Sequence, residues 1–385
     1  MKDFLKIAAG LVMVAMISLT SCQSEKGLKI SAKSLPAELN GANVMVMPEG
    51  GEPTDTVVIA DGAFNLAVNA EEVGVWHLVM NDQYLLVFFS EQGKLEVVPV
   101  ANEEGVVTSY EFAGDPSLLT IQYSQIQKEL TAISEPFYTK LQALDKEIRE
   151  TNEDGRPTEE QYNRVMAVQE EYVEAINDKL SKSYEAHKDD AIGTVLFPQL
   201  QFEGDAEFIA AYEAANDKVK ENEHLVRRYE TALKAQETSV GRTYKDFEMD
   251  NGEGETRALS SFMNGEDYLL IDFFASWCGP CRRSIPEIAK LNDNYGKRGL
   301  NILSIGTWEN SGTDDAGVAL TNHQVAVKDW GITWDHYYDS KNVGATEYGV
   351  PGIPMLLLIS PEGEILVRTH SVADVKVKLE ELLHL

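Results

Sequence analysis

The sequence predicts a multidomain chain in which a C-terminal α/β domain follows a β-sandwich-like domain and a helical region. Three observations carry this reading. At 385 residues the chain exceeds one ordinary domain. Its texture changes twice, from short Val-, Leu- and Phe-rich runs to long stretches of helical period, and then to alternating strand and helix patterns. The last part also places an almost wholly apolar run, YLLIDFF (Tyr268 to Phe274), shortly before a stretch with apolar residues at helical spacing. That is the pattern of a central strand covered on both faces, followed by its helix.

The chain opens MKDFLKIAAGLVMVAMISLTSC. Lys2 and Lys6 form a short basic segment, and Ile7 to Leu19 is an uncharged apolar run. It is too short to span a bilayer as a helix but has the length of a signal-peptide core. Leu19-Thr20-Ser21-Cys22 ends it and resembles the lipobox of bacterial lipoproteins. The resemblance implies that residues 1–21 are removed and that Cys22 becomes a lipidated N-terminus. The protein would then be anchored to a membrane on the periplasmic side of the bacterial envelope, and multiple acyl chains make such an anchor durable. Losing Lys2, Lys6 and Asp3 makes the formal charge of −30 one unit more negative. So acidic a chain repels nucleic acid, which is excluded as a partner.

Residues 22–116 form the expected β-rich domain. The runs NVMVMP, DTVVIADGAFNLAV, WHLVM, YLLVFF and KLEVVPV are separated by Gly, Asn and Pro, and short strands with turn signals between them read as an antiparallel sandwich or small barrel. Asp61-Gly62 is a tight-hairpin signal.

Residues 117–237 form the helical region. Ile126, Leu130, Ile133, Phe137, Leu141, Leu144 and Ile148 recur at spacings of four and three, one face of a helix that Pro136 is expected to kink. NEDGRP (Asn152 to Pro157) breaks the pattern, and Tyr162, Val165, Tyr172 and Ile176 mark a second helix. Two further short helices are expected over Asp190 to Gln201 and Asp205 to Gln236. The charged residues read as the solvated face of a spacer, the alternative being a dimerisation or partner-docking arm.

Residues 238–385 form the α/β domain. After YLLIDFF, a helix is expected over Gly279 to Tyr295 and a strand over LNILSIG (Leu300 to Gly306). MLLLIS and EILVR flank the turn Pro361-Glu362-Gly363 as an antiparallel hairpin, and a last helix is expected over Val372 to Leu383.

ASWCGPCRRSIP (Ala275 to Pro286) contains Cys278 and Cys281, two of the chain's three cysteines. A structural zinc site needs four ligands and no second pair exists; His77, His187, His224, His323, His336, His370 and His384 are scattered without ligand spacing. A c-type haem needs His after the second cysteine, where Arg282 stands. Redox exchange fits better. At a strand-to-helix junction Cys278 faces the unpaired amides and positive end of the following helix, which favours its thiolate, the attacking species. Cys281, three residues on, shares that helix face, and Pro280 suits the first helical turn. Cys278 is expected to be exposed and Cys281 shielded.

Trp277-Cys278-Gly279-Pro280-Cys281 matches the thioredoxin active-site sequence, and the domain resembles the thioredoxin family. Pro286 matches the proline that kinks the active-site helix of that family, and YGVPGIPMLLLIS (Tyr348 to Ser360) resembles its second signature. The resemblance implies a thioredoxin fold and a cis bond before Pro354, with Ile353 and Pro354, beside Trp277, Gly279 and Pro280, contacting an extended substrate. Met355 departs from the usual threonine. It also implies that Asp272 is a buried carboxylate; such a group has a raised pKa and can take the proton of the resolving thiol. The membrane-tethered group that includes cytochrome c maturation reductases is more similar still, because Trp308 to Asp339 can hold that group's added strand and helix. Within this insert Asp314-Asp315 reads as a helix cap. The region before the helices resembles, loosely, the β-rich domain that precedes thioredoxin modules in some bacterial lipoproteins.

The expected activity is thiol–disulfide exchange with Cys278, Cys281 and Asp272 as the catalytic residues and no cofactor or metal beyond the thiols. Gly-Pro between the cysteines adds no stabiliser of the thiolate, which favours a reductant. Its partners would be a disulfide-bearing envelope protein and a membrane electron donor. A dimeric disulfide isomerase and a non-enzymatic interaction protein, with the thioredoxin domain as scaffold, are the alternatives.

Overall fold

The computed structural model describes residues 27–152, 155–312 and 315–383. The signal segment, Cys22, Asp314 and His384 lie outside them. The chain divides into two compact units, one ending at Leu196 and one beginning at Phe197.

In the first unit β1 (Leu28–Ala32), β2 (Asn43–Pro48), β3 (Asp55–Val58), β4 (Phe64–Val68), β5 (Val75–Met80), β6 (Tyr84–Phe89), β7 (Gly93–Ala101) and β8 (Val107–Gly114) form two sheets. Their orders are β4-β1-β7-β8 and β3-β2-β5-β6. Alternate residues of both sheets, among them Ile30, Val44, Val46, Leu66, Leu78, Phe88 and Val97, build one shared core, as the two-residue period of a strand requires. All pairings are antiparallel except β1 with β7. The Asp61-Gly62 turn forms, with both residues at positive φ and a bridge between Ala60 and Ala63. It does not make the expected hairpin, because β3 pairs with β2 and β4 with β1, so the turn joins two sheets.

Two long helices follow, α1 (Leu119–Thr151) and α2 (Glu159–His187). Pro136 lies inside α1. At the start of α2, Thr158 Oγ1 accepts from the Gln161 amide at 3.2 Å and Gln161 Oε1 from the Thr158 amide at 3.0 Å, a reciprocal cap. The helices pair through Phe137 against Tyr172 and a bidentate Arg164–Glu147 contact at 2.7 and 2.9 Å. A short α3 (Ala191–Leu196) ends the unit.

The second unit begins with a correction to the expected helix over Asp205 to Gln236. Three helices stand there: α4 (Asp205–Ala214), α5 (Asp217–Lys220) and α6 (Glu223–Glu237). Asn216 accepts from the Val219 amide and Asn222 from those of His224 and Leu225, so each asparagine ends one helix by capping the next. A two-stranded ribbon, β9 (Glu248–Asp250) and β10 (Thr256–Ala258), leads into the α/β domain.

There β11 (Tyr268–Phe274), α7 (Gly279–Tyr295), β12 (Leu300–Gly306), α8 (Ala316–Asp329), β13 (Asp335–Tyr338), α9 (Val343–Glu347), β14 (Met355–Ile359), β15 (Ile365–Thr369) and α10 (Val372–Leu382) follow in order. The sheet order is β13-β12-β11-β14-β15, with β11, β12 and β13 parallel and β14 and β15 antiparallel to their neighbours. Helix α8 and β13 are the expected insert, and Asp315 caps α8 by accepting from Gly317 and Val318. Central β11 is buried on both faces. Leu270 and Phe274 pack with α7 and α10, whereas Leu269, Ile271 and Phe273 pack with Phe247, Ala345 and Tyr348. Just before the proline loop, Gly349 sits at φ 53°, and a Cβ there would lie 2.3 Å from the Ala235 amide nitrogen. Only glycine lets α6 brace the loop so closely.

Candidate redox site

The chain leaves β11 at the sheet centre and turns into α7 within four residues, which puts Cys278 at the helix N-cap. Cys278 Sγ accepts from the Cys281 amide at 3.1 Å. This is an orphan donor of the first turn, the group that favours a thiolate when the thiol is reduced. Cys278 and Cys281 form a disulfide. Pro280 lies in the first turn, where its missing N–H costs nothing. Cys278 is far less open than expected, at 4 % exposed, because Ile353 of the proline loop packs against it; Cys281 is fully buried. The order of accessibility still singles out Cys278.

Trp277 is half-exposed and donates its indole N–H to the Trp308 carbonyl at 2.9 Å. The Ile353–Pro354 bond is cis. The Ile353 carbonyl oxygen lies 3.7 Å from Cys278 Sγ, while among the described residues the Ile353 amide has no hydrogen-bond partner. Pro280, Ile353 and Pro354 line a cleft of about 580 Å³ with Arg283 and His370. Gly279 opens α7 between the cysteines and carries no bulk at the rim.

Asp272 is fully buried. Strand alternation gives it the face of Leu270 and Phe274, the face that carries α7 and both cysteines. Oδ2 accepts from Ser304 Oγ, its register partner on β12, at 3.0 Å, and Oδ1 has no partner among the described residues. Ser304 Oγ in turn accepts from the Trp334 indole at 2.9 Å. Burial pushes the Asp272 carboxyl up to about 7, against the Ser304 bond.

Several site residues belong to no motif of the sequence. Glu309, buried after β12, accepts from the Ser276 amide at 2.8 Å and from its hydroxyl at 2.5 Å. His323, on α8, lies with Nδ1 3.9 Å from Glu309. His370 is a donor through Nδ1 to the Pro354 carbonyl at 2.6 Å. Glu309 was findable from its position alone, beyond the C-terminal end of a parallel strand, where the loops of an α/β sheet gather their functional groups. Among the described residues no group of three or more His, Cys, Asp or Glu could hold a metal ion.

Residues 240–368 match the model of the AhpC/TSA family. Over 147 residues, 37 % of this chain, the sequence is 28 % identical to the thiol-disulfide oxidoreductase ResA of Geobacillus thermodenitrificans, of which it covers 78 %. The ResA of Bacillus subtilis is 24 % identical over 128 residues, 33 % of this chain and 65 % of that protein. Among solved structures, a thiol-disulfide oxidoreductase from Bacteroides fragilis is 28 % identical over 37 % of this chain and 99 % of its own, with a TM-score of 0.31. The thioredoxin domain of a thiol-disulfide oxidoreductase from Bacteroides vulgatus is 20 % identical over 38 % and 98 %, with a TM-score of 0.32. The family match and the sheet order agree: the C-terminal part of this chain is a thioredoxin-like domain, similar to thiol-disulfide oxidoreductases, with its disulfide at the start of α7.

Proposed function

We propose that this protein is a thiol–disulfide oxidoreductase of the bacterial envelope that works as a disulfide reductant. The observation that carries the reading is the Cys278–Cys281 disulfide at a helix N-cap, with Cys278 the less buried cysteine beside a cis-proline cleft. In the dithiol form the Cys278 thiolate attacks a substrate disulfide; a Cys278–substrate bond forms and the first substrate sulfur leaves as a thiolate. The Asp272 carboxylate takes the proton of Cys281, whose thiolate then attacks Cys278 Sγ and expels the second substrate sulfur. Two electrons pass to the substrate and the Cys278–Cys281 bond re-forms. The site residues divide accordingly, with Trp277, Gly279, Pro280 and Pro354 shaping the cleft and the Ile353 amide pairing with an extended segment of the substrate.

No side chain between the cysteines stabilises the thiolate, which supports a low potential, about −270 mV rather than the about −120 mV of strong oxidants. Equilibration of the mature chain with glutathione, followed by alkylation, measures it; a potential near that of the oxidants overturns the reductant reading. The substrate class is a disulfide-bearing envelope protein, and a membrane donor must restore the dithiol. The envelope location rests on Leu19-Thr20-Ser21-Cys22, with Cys22 as the lipid anchor; among the described residues no helix is long and apolar enough to cross a membrane. Labelling with a fatty-acid analogue should vanish in Cys22→Ala, and labelling that persists there removes the anchor from the reading. A dimeric isomerase is the competing reading, favoured by Tyr138 and Tyr162, 64 % and 53 % exposed on the α1–α2 pair.

A further inference from the structure

We propose that Glu309 is a positioning residue of the redox site: it anchors the Ser276–Trp277 segment that delivers Cys278 to α7, and its buried charge makes the Cys278 thiolate more costly. The proposal rests on the reading of Cys278 as the attacking thiol.

Two short segments are clasped at two points. Ser276 donates its amide and hydroxyl to the two oxygens of Glu309, and Trp277 donates its indole N–H to the carbonyl of Trp308. The acceptor segment is itself held in an uncommon form. Trp308 has φ 53°, a region bulky side chains rarely adopt, and Asn342 Oδ1 holds it by accepting from the Trp308 amide at 2.6 Å and the Thr307 hydroxyl at 3.0 Å. The geometry therefore fixes where Ser276, two residues before Cys278, can sit.

The surroundings of Glu309 are built rather than incidental. Gly306, at the end of β12, admits the His323 ring, since a Cβ there would fall 2.1 Å from His323 Nδ1. That nitrogen has no hydrogen-bond partner among the described residues. His323 also stacks on Tyr338 and faces His336, both on β13, and Asp339 follows them. Burial, helped by His336, pushes His323 down to about 4, so it is neutral at neutral pH and supplies no counter-charge to Glu309. Burial raises Glu309, while the two Ser276 donors favour its ionised form. When ionised, and with no Lys or Arg beside it among the described residues, this carboxylate opposes a second negative charge nearby, and the nearest candidate along the chain is the Cys278 thiolate. A less favoured thiolate makes the couple more reducing.

Glu309→Gln separates charge from shape, because the Gln carbonyl still accepts from the Ser276 amide and its NH₂ donates to the Ser276 oxygen. In the full mature chain, the pH profile of Cys278 alkylation and the equilibrium with glutathione should be compared between wild type and Glu309→Gln. The variant should form its thiolate at lower pH and shift the equilibrium toward the dithiol about tenfold, about 30 mV for a two-electron couple. An unchanged profile and equilibrium, with wild-type exchange intact, overturn the charge effect; a wild type that exchanges no disulfide overturns the underlying reading instead. Ser276→Ala keeps the charge and removes one bond, and does not depend on Glu309→Gln folding. It should slow attack on a disulfide at matched thiolate fraction, and an unchanged rate overturns the anchor.

Discussion

Two buried carboxylates lie in the thioredoxin-like domain, and their donors set them apart. Asp272 sits mid-strand on β11 with one hydroxyl donor, Ser304, and a second oxygen that has no partner among the described residues. Glu309 opens a 3-10 turn beyond β12 and has two donors from a single residue. Burial raises both. An ionised carboxylate offers acceptor sites only, so each added donor favours the charge and each empty site favours the proton. Asp272, pushed up to about 7, is therefore the group that can exchange a proton near neutral pH, whereas Glu309 spends both its oxygens on Ser276. Neither burial nor charge alone would have distinguished them.

The same division extends to the cysteines and yields the largest expected effect. Cys278 follows the segment that Glu309 holds, while Cys281 lies inside α7 on the face that Asp272 shares. Cys281→Ser should leave the first attack intact and abolish release, so mixed disulfides with natural partners accumulate on Cys278. Cys278→Ser should trap almost none, because the remaining thiol is fully buried and burial without a charged partner disfavours its thiolate. Tagged variants, captured under acid quench and resolved without reductant, give the answer. Partners held through Cys281 instead would reverse the assignment of the two carboxylates as well.

Local chemistry explains how much of this could be read in advance. Trp277 to Cys281, the Pro354 loop and the apolar β11 announce themselves, because each is a contiguous stretch whose backbone form follows from its own residues. Asp315 capping α8 and the periodicity of α1 belong to the same class. What failed is what depends on distant partners. The Asp61-Gly62 turn is readable, but which strands then pair is decided by the Val44, Val46, Leu78 and Leu66 core. The breaks at Asn216 and Asn222 were hidden inside a run of otherwise good helix formers. Glu309 and His323 meet Ser276 only because β12 and α8 return beside β11, so no spacing in the sequence marks them. The near-closure of Cys278 has the same origin, since Ile353 lies 75 residues away.

The smaller expected effect lies in how stability depends on pH, where the two sides of the site oppose one another. Asp272 has its ordinary value of 3.8 in the unfolded chain and about 7 in the fold. Between those values the folded state holds a proton that the unfolded state has lost, so stability falls as pH rises through the window, by about 4 kcal/mol in all. His323 runs the other way, from 6.5 unfolded to about 4 folded. Between pH 4 and 6.5 the unfolded state binds a proton that the fold refuses, so stability rises with pH, by about 3 kcal/mol in all. In that shared window the two slopes cancel, and these groups leave wild-type stability nearly flat. Asp272→Asn should expose the His323 slope, losing stability as pH drops from 6.5 toward 4. At pH 8 it should be more stable than wild type by about 2 kcal/mol, after allowing about 2 kcal/mol for a buried amide donor without a partner. His323→Phe, which keeps the ring against Phe274 and Tyr338, should expose the opposite slope and lose stability as pH rises from 4 to 7. Urea unfolding at intervals of half a pH unit checks both. Parallel curves for wild type and both variants would mean that neither group carries its proton as its surroundings dictate, and the contrast between Asp272 and the Glu309 side of the site would lose its electrostatic basis.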